Sequence, residues 1–504
     1  MRSHLSKHAM TWGPKIVACL CAALSWHSAC VAQSRELPDF GSPADTILNR
    51  SKEAQLGRSV MLQLRSAGAI VEDPQLTEYI RILGSRLASQ ANNGDFDFNF
   101  FVIDDQRINA FAMPGGHIGV HTGLISASEN ESELAGVLAH EVSHVTQRHI
   151  ARSIYDNQRM SIVSIATMLA AILIGAATDS TEATQGLLMG SQAAQLQRQI
   201  NFTRSNEHEA DRIGMGVLAA AGFDPNGMAS FFEKLSIRYG AARQNVPQML
   251  QTHPVTGSRI AEARGRARQL PQREHIDSRG YSLAKARIMV LNAATPDVAL
   301  AQFDELDDDS PAKRYGRALA LSRMTLSDDA ERLFRSLVTD FPTVITYRIG
   351  HAEALMASGY TELAMEVYEE ASELFPRNVP LTISYAEALI DTRQPAKAHS
   401  FLLDLLNNVP PTPAQIQLIA RAANAEGDVG NAQYYMGEYW LSVGNLPLAI
   451  DQIRMALEAP GVDIVDKARF EAKLELWTSF LPEDDRRRGP RRGRGDEAGG
   501  RSRG

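Results

Sequence analysis

The stretch Leu134–Ile150, LAGVLAHEVSHVTQRHI, carries two histidines four residues apart and a glutamate directly after the first of them. Apolar residues flank these positions at three- and four-residue spacing, which predicts a helix with one face in the core. Because residues i and i+4 lie on one face of a helix, His140 and His144 can direct a ring nitrogen at the same metal ion. Glu141 points about 100° around the helix axis, within reach of a water on that ion. The pattern H-E-x-x-H therefore predicts two zinc ligands and a general base, against the alternative of a helix whose histidines are only polar surface.

A second helix is predicted within residues 204–222, RSNEHEADRIGMGVLAAAG, where acidic residues precede an apolar run. A catalytic zinc site needs a third protein ligand beside an open position. Glu207 and Asp211 lie four residues apart and hence on one face. We assign Glu207 as the third ligand and Asp211 as an acceptor that orients a ligating imidazole, with His208 and Glu209 as fallback ligands. The alternative is that these acidic residues are ordinary charges at a helix N-terminus.

A strand followed by a hairpin is predicted before the histidine helix. FDFNFFVIDD, residues 96–105, alternates aromatic and polar residues, and the Pro-Gly-Gly turn in residues 109–125, NAFAMPGGHIGVHTGLI, separates two short strands. A hairpin strand beside the helix would leave a free edge to which an extended peptide can add by backbone pairing. The residues assigned to this substrate-binding edge are Asn109, Ala110, Phe111, Gly116 and His117. His117 and His121 share one strand face and are expected at the surface or beside substrate rather than on zinc.

Residues 1–32 have the pattern of a secretory signal peptide. A basic start precedes the apolar run IVACLCAALSW, and small residues precede a predicted cleavage after Ala32. All three cysteines of the chain lie in this segment, so the mature chain would have neither a disulfide nor a thiolate ligand. Export without cysteines suits a bacterial periplasm. The alternatives are an uncleaved anchor and a lipid anchor at Cys30.

Residues from about 285 to 480 are predicted to form helical repeats. HAEALMASGYTELAMEVYEEASELFP aligns with YAEALIDTRQPAKAHSFLLDLLNNVP at a shift of 34 residues. This period, with small residues where helices cross and a proline that ends the second helix, is typical of tetratricopeptide repeats. The positions that stay in step are Ala354, Ala388 and Ala422; Ala330, Ala364, Ala398 and Ala432; and Pro342, Pro376 and Pro410. Such arrays form a concave surface for peptides or partner proteins, against the alternative of a purely structural stack.

Two other segments differ in composition from the rest of the chain. Ser161–Ala177, SIVSIATMLAAILIGAA, is predicted to form a helical hairpin or a lid beside the site that dips into a membrane surface; the alternatives are a buried core helix and a true span. Residues 483–504 are rich in Arg and Gly and are predicted to be disordered. The formal net charge of −8 argues against attraction of the whole chain to nucleic acid.

HEVSH, then NEHEAD some sixty residues later, and the preceding NAFAMPGGHIGVHTGLI together resemble the zinc metalloprotease family of the HtpX and CAAX-prenyl proteases. The resemblance covers roughly residues 45–480 and, with the signal peptide and the repeats, points to a periplasmic branch of that family. It implies that Glu207 is the third ligand and that Asp211 completes the E-x-x-x-D motif. It also implies a protease and chaperone in the quality control and assembly of outer-membrane proteins.

QTHPVTGSR, residues 251–259, adds His253 and Arg259 at a spacing similar to that family's H-P-x-x-x-x-R. Such a histidine near the zinc would stabilise the tetrahedral oxyanion, or occupy the open position as a fourth metal ligand and hold the enzyme idle. Arg259 is a second candidate for oxyanion support. The alternative is a loop histidine with a backbone partner.

We therefore predict a mainly α protein with a small β-hairpin or sheet. A zincin-like metalloprotease domain, residues 45–275, precedes an α-helical TPR solenoid, residues 285–480. The cofactor is one Zn²⁺ per chain, with Glu141, Asp211 and His253 as the catalytic residues. The predicted function is that of a periplasmic zinc endopeptidase, with chaperone activity and peripheral membrane contact, which acts on unfolded or misassembled outer-membrane proteins and meets the outer-membrane assembly machinery through its repeats. The alternatives are a non-proteolytic chaperone or scaffold with a closed or structural zinc site, and a repeat adaptor with a vestigial N-terminal domain.

Overall fold

The computed structural model describes residues 43–91, 96–156, 204–239, 248–272, 276–324 and 327–481. The chain divides into two units at Pro43, and the described helices and strands belong to the second unit, Ala44–Gly504. The predicted signal peptide, the apolar segment Ser161–Ala177 and the tail 483–504 lie outside the described residues. Within the described part of the chain, no helix combines the length and the apolar character that a membrane span requires.

The first part of the fold is a set of α-helices around a small sheet. PQLTEYIRILGSRLASQA forms a single helix over its whole length. In chain order, the helices described here are α1 (Arg50–Ser66), α2 (Pro74–Ala91), α3 (Thr122–Ala127), α4 (Glu131–Thr146), α5 (His149–Asp156), α6 (Arg204–Ala220), α7 (Asn226–Tyr239), α8 (Gln248–Thr252) and α9 (Gly257–Ala267).

The sheet has three strands, β1 (Asn99–Ile103), β2 (Ala110–Ala112) and β3 (His117–His121), in the order β1-β3-β2. β3 pairs parallel with β1 and antiparallel with β2. The turn between β2 and β3 needs Gly115, which adopts a φ of 79° that L side chains rarely reach. The hairpin is therefore confirmed, with β2 at the edge of the described sheet. His117 lies on the central strand, so its assignment to the sheet edge is wrong.

Helix α4 runs through the core, and the side chains from Glu131 to Val145 are all buried. It begins at the N-cap Asn130, whose side chain accepts a hydrogen bond from the backbone nitrogen of Glu133. Helix α6 packs closely against it because Gly214 carries no side chain. A Cβ at Gly214 would lie 2.9 Å from the carbonyl oxygen of Ala139. This close approach brings the N-terminal turns of α6 beside the two histidines of α4.

The second part of the fold is a stack of antiparallel helix pairs, as the 34-residue period predicts. The alanines that keep step in the sequence, including Ala364, Ala398 and Ala432, are buried where helices cross. The helices are α10 (Arg279–Asn292), α11 (Pro296–Asp304), α12 (Pro311–Arg323), α13 (Ser327–Asp340), α14 (Ile345–Ala357), α15 (Thr361–Leu374), α16 (Val379–Asp391), α17 (Pro395–Asn408), α18 (Pro413–Glu426), α19 (Val429–Ser442), α20 (Leu446–Glu458) and α21 (Ile464–Ser479). The predicted fold class, a mainly α protein with a small sheet followed by a helical repeat array, is confirmed.

Helix α10 joins the two parts of the fold. One side of it, with Tyr281 and Ile288, packs into the core around α4, while Leu283 and Val290 belong to the core of the first repeat helices. Its N-terminus and that of α4 cap each other. Asp277 accepts a hydrogen bond from the backbone nitrogen of Glu131 at 2.7 Å. The Glu131 carboxylate in turn accepts hydrogen bonds from the backbone nitrogen and the hydroxyl of Ser278 at 3.0 and 2.6 Å.

Candidate metal centre

Four buried side chains converge where α4, α6 and the segment after α8 meet. His140 and His144 come from α4, Glu207 comes from the first turn of α6, and His253 directly follows α8. One donor atom from each of the four lies within 4.8 Å of the other three. The Nε2 atoms of the two α4 histidines are 2.9 Å apart, and Glu207 Oε1 is 3.5 Å from His144 Nε2.

The chemistry of this donor set fits a divalent metal ion. Imidazole nitrogens and a carboxylate oxygen are the ligands that zinc takes in proteins without cysteine. Nε2 of both α4 histidines and an oxygen of Glu207 lie close to one point, where each can offer a lone pair. A cation at the common point would satisfy them together.

A carboxylate and a guanidinium support the ligating groups from behind. Asp211 lies one helical turn after Glu207, and its Oδ1 is 2.9 Å from Nδ1 of His140. Arg259 donates from Nε and Nη2 to the two oxygens of Asp211 at 2.7 and 2.8 Å, and its Nη1 lies 2.8 Å from Glu207 Oε2. Burial opposes ionisation of Asp211, but the hydrogen bonds from Arg259 and His140 outweigh it and lower the pKa of this carboxyl.

Glu141 is fully buried beside the cluster, and its two oxygens have different environments. Oε2 accepts a hydrogen bond from the backbone nitrogen of Ala112 on β2 at 2.9 Å. Oε1 has no hydrogen-bond partner within the described residues, and Nε2 of His253 lies 3.7 Å from it. Burial raises the pKa of Glu141, although the nearby His253 and His140 act in the opposite direction. The carboxylate is thus held at one oxygen and directed into the site at the other.

His253 and Arg259 both come from the H-P-x-x-x-x-R segment, but they face different groups. His253 points its Nδ1 at Oε1 of Glu207, 3.0 Å away. Thr256 caps α9 by accepting from the backbone nitrogen of Arg259, and the arginine then reaches back to Asp211 and Glu207. His253 therefore lies within the donor cluster, whereas Arg259 is engaged by carboxylates.

The fallback ligands lie outside the cluster. His208 pairs with Glu262 on α9, and Glu209 pairs with His149 and Arg152 on α5. His149 is a residue that the sequence analysis missed. It is completely buried, and its Nδ1 lies 2.9 Å from Nδ1 of His144. The sequence shows only that His149 is a histidine five residues after His144. That spacing predicts a contact between the two rings only if the helix ends between them, as it does at Thr146.

The residues assigned to the substrate edge divide into three groups. Ala110 and Phe111 lie on the edge strand β2. Asn109 directly precedes that strand, is buried, and has an Oδ1 without a partner in the described chain. Gly116 belongs to the turn, and His117 to the central strand. His121 is 2 % exposed, with Nδ1 3.4 Å from Asp105, so it does not lie at the surface, and its place beside substrate stays a prediction.

Comparisons with known proteins agree with this geometry. Residues 74–267 match Peptidase family M48, and residues 355–422 match a tetratricopeptide repeat. The chain is 35% identical over 469 residues to a putative beta-barrel assembly-enhancing protease of Vibrio cholerae serotype O1, covering 92% of this chain and 96% of the relative. It is 34% identical over 470 residues to the beta-barrel assembly-enhancing protease of Escherichia coli K12, covering 91% and 95%. It is 29% identical over 217 residues to the mitochondrial metalloendopeptidase OMA1 of Arabidopsis thaliana, covering 43% and 41%.

Proposed function

The chain belongs to the beta-barrel assembly-enhancing proteases of peptidase family M48 and is a metalloprotease, and on that premise we propose a zinc-dependent endopeptidase that acts in the assembly of outer-membrane β-barrels. One observation carries the proposal: three imidazoles and a carboxylate converge within 4.8 Å, with the carboxylate of Glu141 beside them. A structural metal site has no need of a base at its edge. This arrangement therefore favours catalysis.

We assign His140, His144 and Glu207 as the three ligands of one zinc ion. When bound, zinc supplies a Lewis acid that makes a water nucleophilic near neutral pH and polarises the scissile carbonyl. Asp211 fixes the ring of His140 by accepting its Nδ1 proton, which leaves Nε2 free for the metal. Arg259 lies against Asp211 and Glu207, so we assign it to holding these two carboxylates rather than to oxyanion support.

Glu141 is the proposed general base. The Ala112 amide holds one oxygen, while the other oxygen is free to take a proton from the attacking water and later return it to the leaving amine. A raised pKa suits this exchange, because it makes the Glu141 carboxylate a better proton acceptor. β2 lies directly beside this carboxylate. Phe111 pairs with Gly119 of β3 and Ala110 is fully buried, so an extended substrate that pairs with the outer edge of β2 would do so beside Ala112 and would place its backbone across the site.

Two features support the proposed location and partners. The signal-like segment 1–32 and the absence of cysteine beyond it suit a bacterial periplasm. The relatives' names speak of beta-barrel assembly, and helical repeats bind peptides and partner proteins along their concave surface. We propose unfolded or misassembled outer-membrane proteins as substrates, the assembly machinery as the partner of the repeats, and chaperone activity beside proteolysis. We propose residues 45–275 as the limits of the metalloprotease domain and residues 285–480 as those of the repeat domain.

One observation favours a second candidate function, a non-proteolytic chaperone or scaffold. His253 lies among the donor atoms, and as a fourth ligand it would close the position that a substrate carbonyl needs. The full chain should therefore be purified and assayed for zinc content, for cleavage of an unfolded β-barrel protein and casein, and for suppression of the β-barrel protein's aggregation. A protease holds one zinc per chain and loses cleavage to a chelator until zinc is returned. A zinc-replete chain that suppresses aggregation without cutting either substrate would establish the scaffold instead.

A further inference from the structure

The ring of His144 is held on the side opposite to the proposed metal. Its Nε2 faces His140 and Glu207, while its Nδ1 lies 2.9 Å from Nδ1 of His149. The other nitrogen of His149, Nε2, lies 3.1 Å from Oε2 of Glu209. The two rings are inclined at 76° with centroids 4.8 Å apart. The contact is thus an edge-on approach of nitrogen to nitrogen rather than a stacking of faces.

A donor and an acceptor can be assigned consistently to each contact in the series His144, His149 and Glu209. If His144 uses the lone pair of Nε2 for a metal, its proton resides on Nδ1. His149 must then accept that proton with Nδ1 and carry its own proton on Nε2. Glu209, a carboxylate, accepts from that Nε2. With both imidazoles neutral, each of these two contacts has one donor and one acceptor, and Nε2 of His144 is left for a metal.

The backbone is specifically shaped to place His149 at this point. Helix α4 ends at Thr146, and Arg148 adopts a left-handed conformation with φ of 53°, which costs free energy for a residue other than glycine. The guanidinium of Arg148 offsets this cost by pairing with Asp45 and Glu53 and donating to the carbonyl oxygen of Leu48. Helix α5 then begins at His149, with its ring under His144.

We propose that His149 is a positioning residue for the metal centre: together with Glu209 it fixes the tautomer and ring orientation of His144, as Asp211 and Arg259 do for His140. This inference rests on the proposed function, since it assumes a metal on His144. Each α4 histidine would then be oriented by a carboxylate. His140 contacts Asp211 directly, whereas His144 is linked to Glu209 through the imidazole of His149. Arg152 completes the second set by donating to Glu209 at 3.0 Å, near the surface.

The test is zinc affinity of the purified full chain, measured by competition with a chromophoric chelator, together with the visible spectrum of the Co²⁺-substituted protein. His149→Phe keeps the ring volume but removes the acceptor, so zinc affinity should fall about 10–100-fold and the Co²⁺ bands should shift. His149→Asn offers an amide oxygen close to the position of Nδ1 and should recover most of the affinity. Glu209→Ala, at a partly exposed side chain, should weaken binding to a smaller degree without endangering the fold.

The matched control is His351→Phe. His351 is also a buried histidine hydrogen-bonded to a glutamate, with Nε2 3.0 Å from Glu331, but it lies in the repeat helix α14. This variant should leave zinc affinity and the Co²⁺ spectrum unchanged. The inference fails if both His149→Phe and Glu209→Ala bind zinc as tightly as the unaltered chain with the same spectrum. Absence of zinc binding by the unaltered chain would overturn the proposed function, and this inference with it.

Discussion

The backbone nitrogen of Ala112 lies 2.9 Å from Oε2 of Glu141, so the edge strand of the sheet and the metal-binding helix meet at the proposed catalytic base. The contact uses an amide that points away from the β3 ladder. One short strand therefore holds the base, and the proposed pairing of a substrate would take place along the same strand. An edge that is tied to the base in this way would bring a paired substrate and the base to the same place without further motion.

Glu141→Gln should separate proteolysis from metal binding. The amide oxygen of glutamine can still accept from Ala112, and the zinc ligands are unchanged, so zinc content and thermal stability should match those of the unaltered chain. Loss of the base should reduce cleavage of casein by roughly 10²–10⁴-fold. His140→Ala, in contrast, should lose zinc and cleavage together. Cleavage by the Gln variant at the unaltered rate would show that Glu141 is not the base.

His253→Ala tests whether the fourth donor closes the site. Because Nδ1 of His253 lies within the donor cluster, its removal should open a coordination position, raise the cleavage rate and weaken zinc binding at least about tenfold. Chelator competition and casein cleavage measure the two effects. His208→Ala is the control, because His208 pairs with Glu262 outside the donor cluster. A loss of cleavage with unchanged zinc affinity would instead support the oxyanion role.

Arg259→Ala should destabilise the metal-free protein. It would leave Asp211 and Glu207 buried without their cation, and breaking a buried ion pair in this way costs about 3–5 kcal/mol of unfolding free energy. Zinc should restore part of the loss, because it binds only the folded state. Arg259→Lys should recover little, since one ammonium cannot reproduce the bidentate pair with Asp211 together with the contact to Glu207. Denaturant unfolding with chelator measures the effect.

Arg264→Ala on the same helix provides the comparison for Arg259. Arg264 pairs with Glu233 at the surface, and its removal should cost less than about 1 kcal/mol. Equal losses for the two arginines would argue against a special role of Arg259 beneath the site.

His117 should contribute to acid sensitivity. Burial, together with Arg65 and Arg58, lowers its pKa to about 4, from 6.5 in the unfolded chain. Between pH 6.5 and pH 4 the unfolded state therefore binds the proton more readily, so stability falls as the pH falls through this window. His117→Phe should flatten that slope, with little change at pH 7 because Nδ1 has no partner in the described chain. Burial also lowers the pKa of His121 to about 4, although Asp105 acts in the opposite direction. His121 should therefore leave some dependence of stability on pH in the His117→Phe variant.

The unfolding free energies of the unaltered chain and of His117→Phe at pH 7 and pH 5 would measure the difference in pH dependence. A slope in the variant equal to that of the unaltered chain would show that His117 titrates alike in the folded and unfolded states.

Local periodicity predicted the helices and repeats because each helix buries one face that its own spacing defines. It did not predict the parallel pairing of β1 with β3, which depends on contacts distant in sequence, such as Phe100 against Gly84. At the candidate centre, the i, i+4 spacing of His140 and His144 was sufficient to place them together. His149 escaped because its position depends on the reversal at Arg148, where no glycine or asparagine marks the left-handed turn. Arg259 was predicted as a candidate for oxyanion support, because its carboxylate partners become visible only when α9 packs against α6.

The crossed caps of Glu131 and Asp277 have a consequence for how the molecule comes apart. Unfolding of the first turn of either α4 or α10 breaks hydrogen bonds that the other helix also needs. Helix α10 also contributes side chains to two hydrophobic cores. Thermal unfolding of the repeat array would thus propagate into α4, so the two parts of the fold should unfold in a single cooperative transition rather than independently. A partner that pulls on the first repeat would act mechanically on the same turn from which the histidine helix begins.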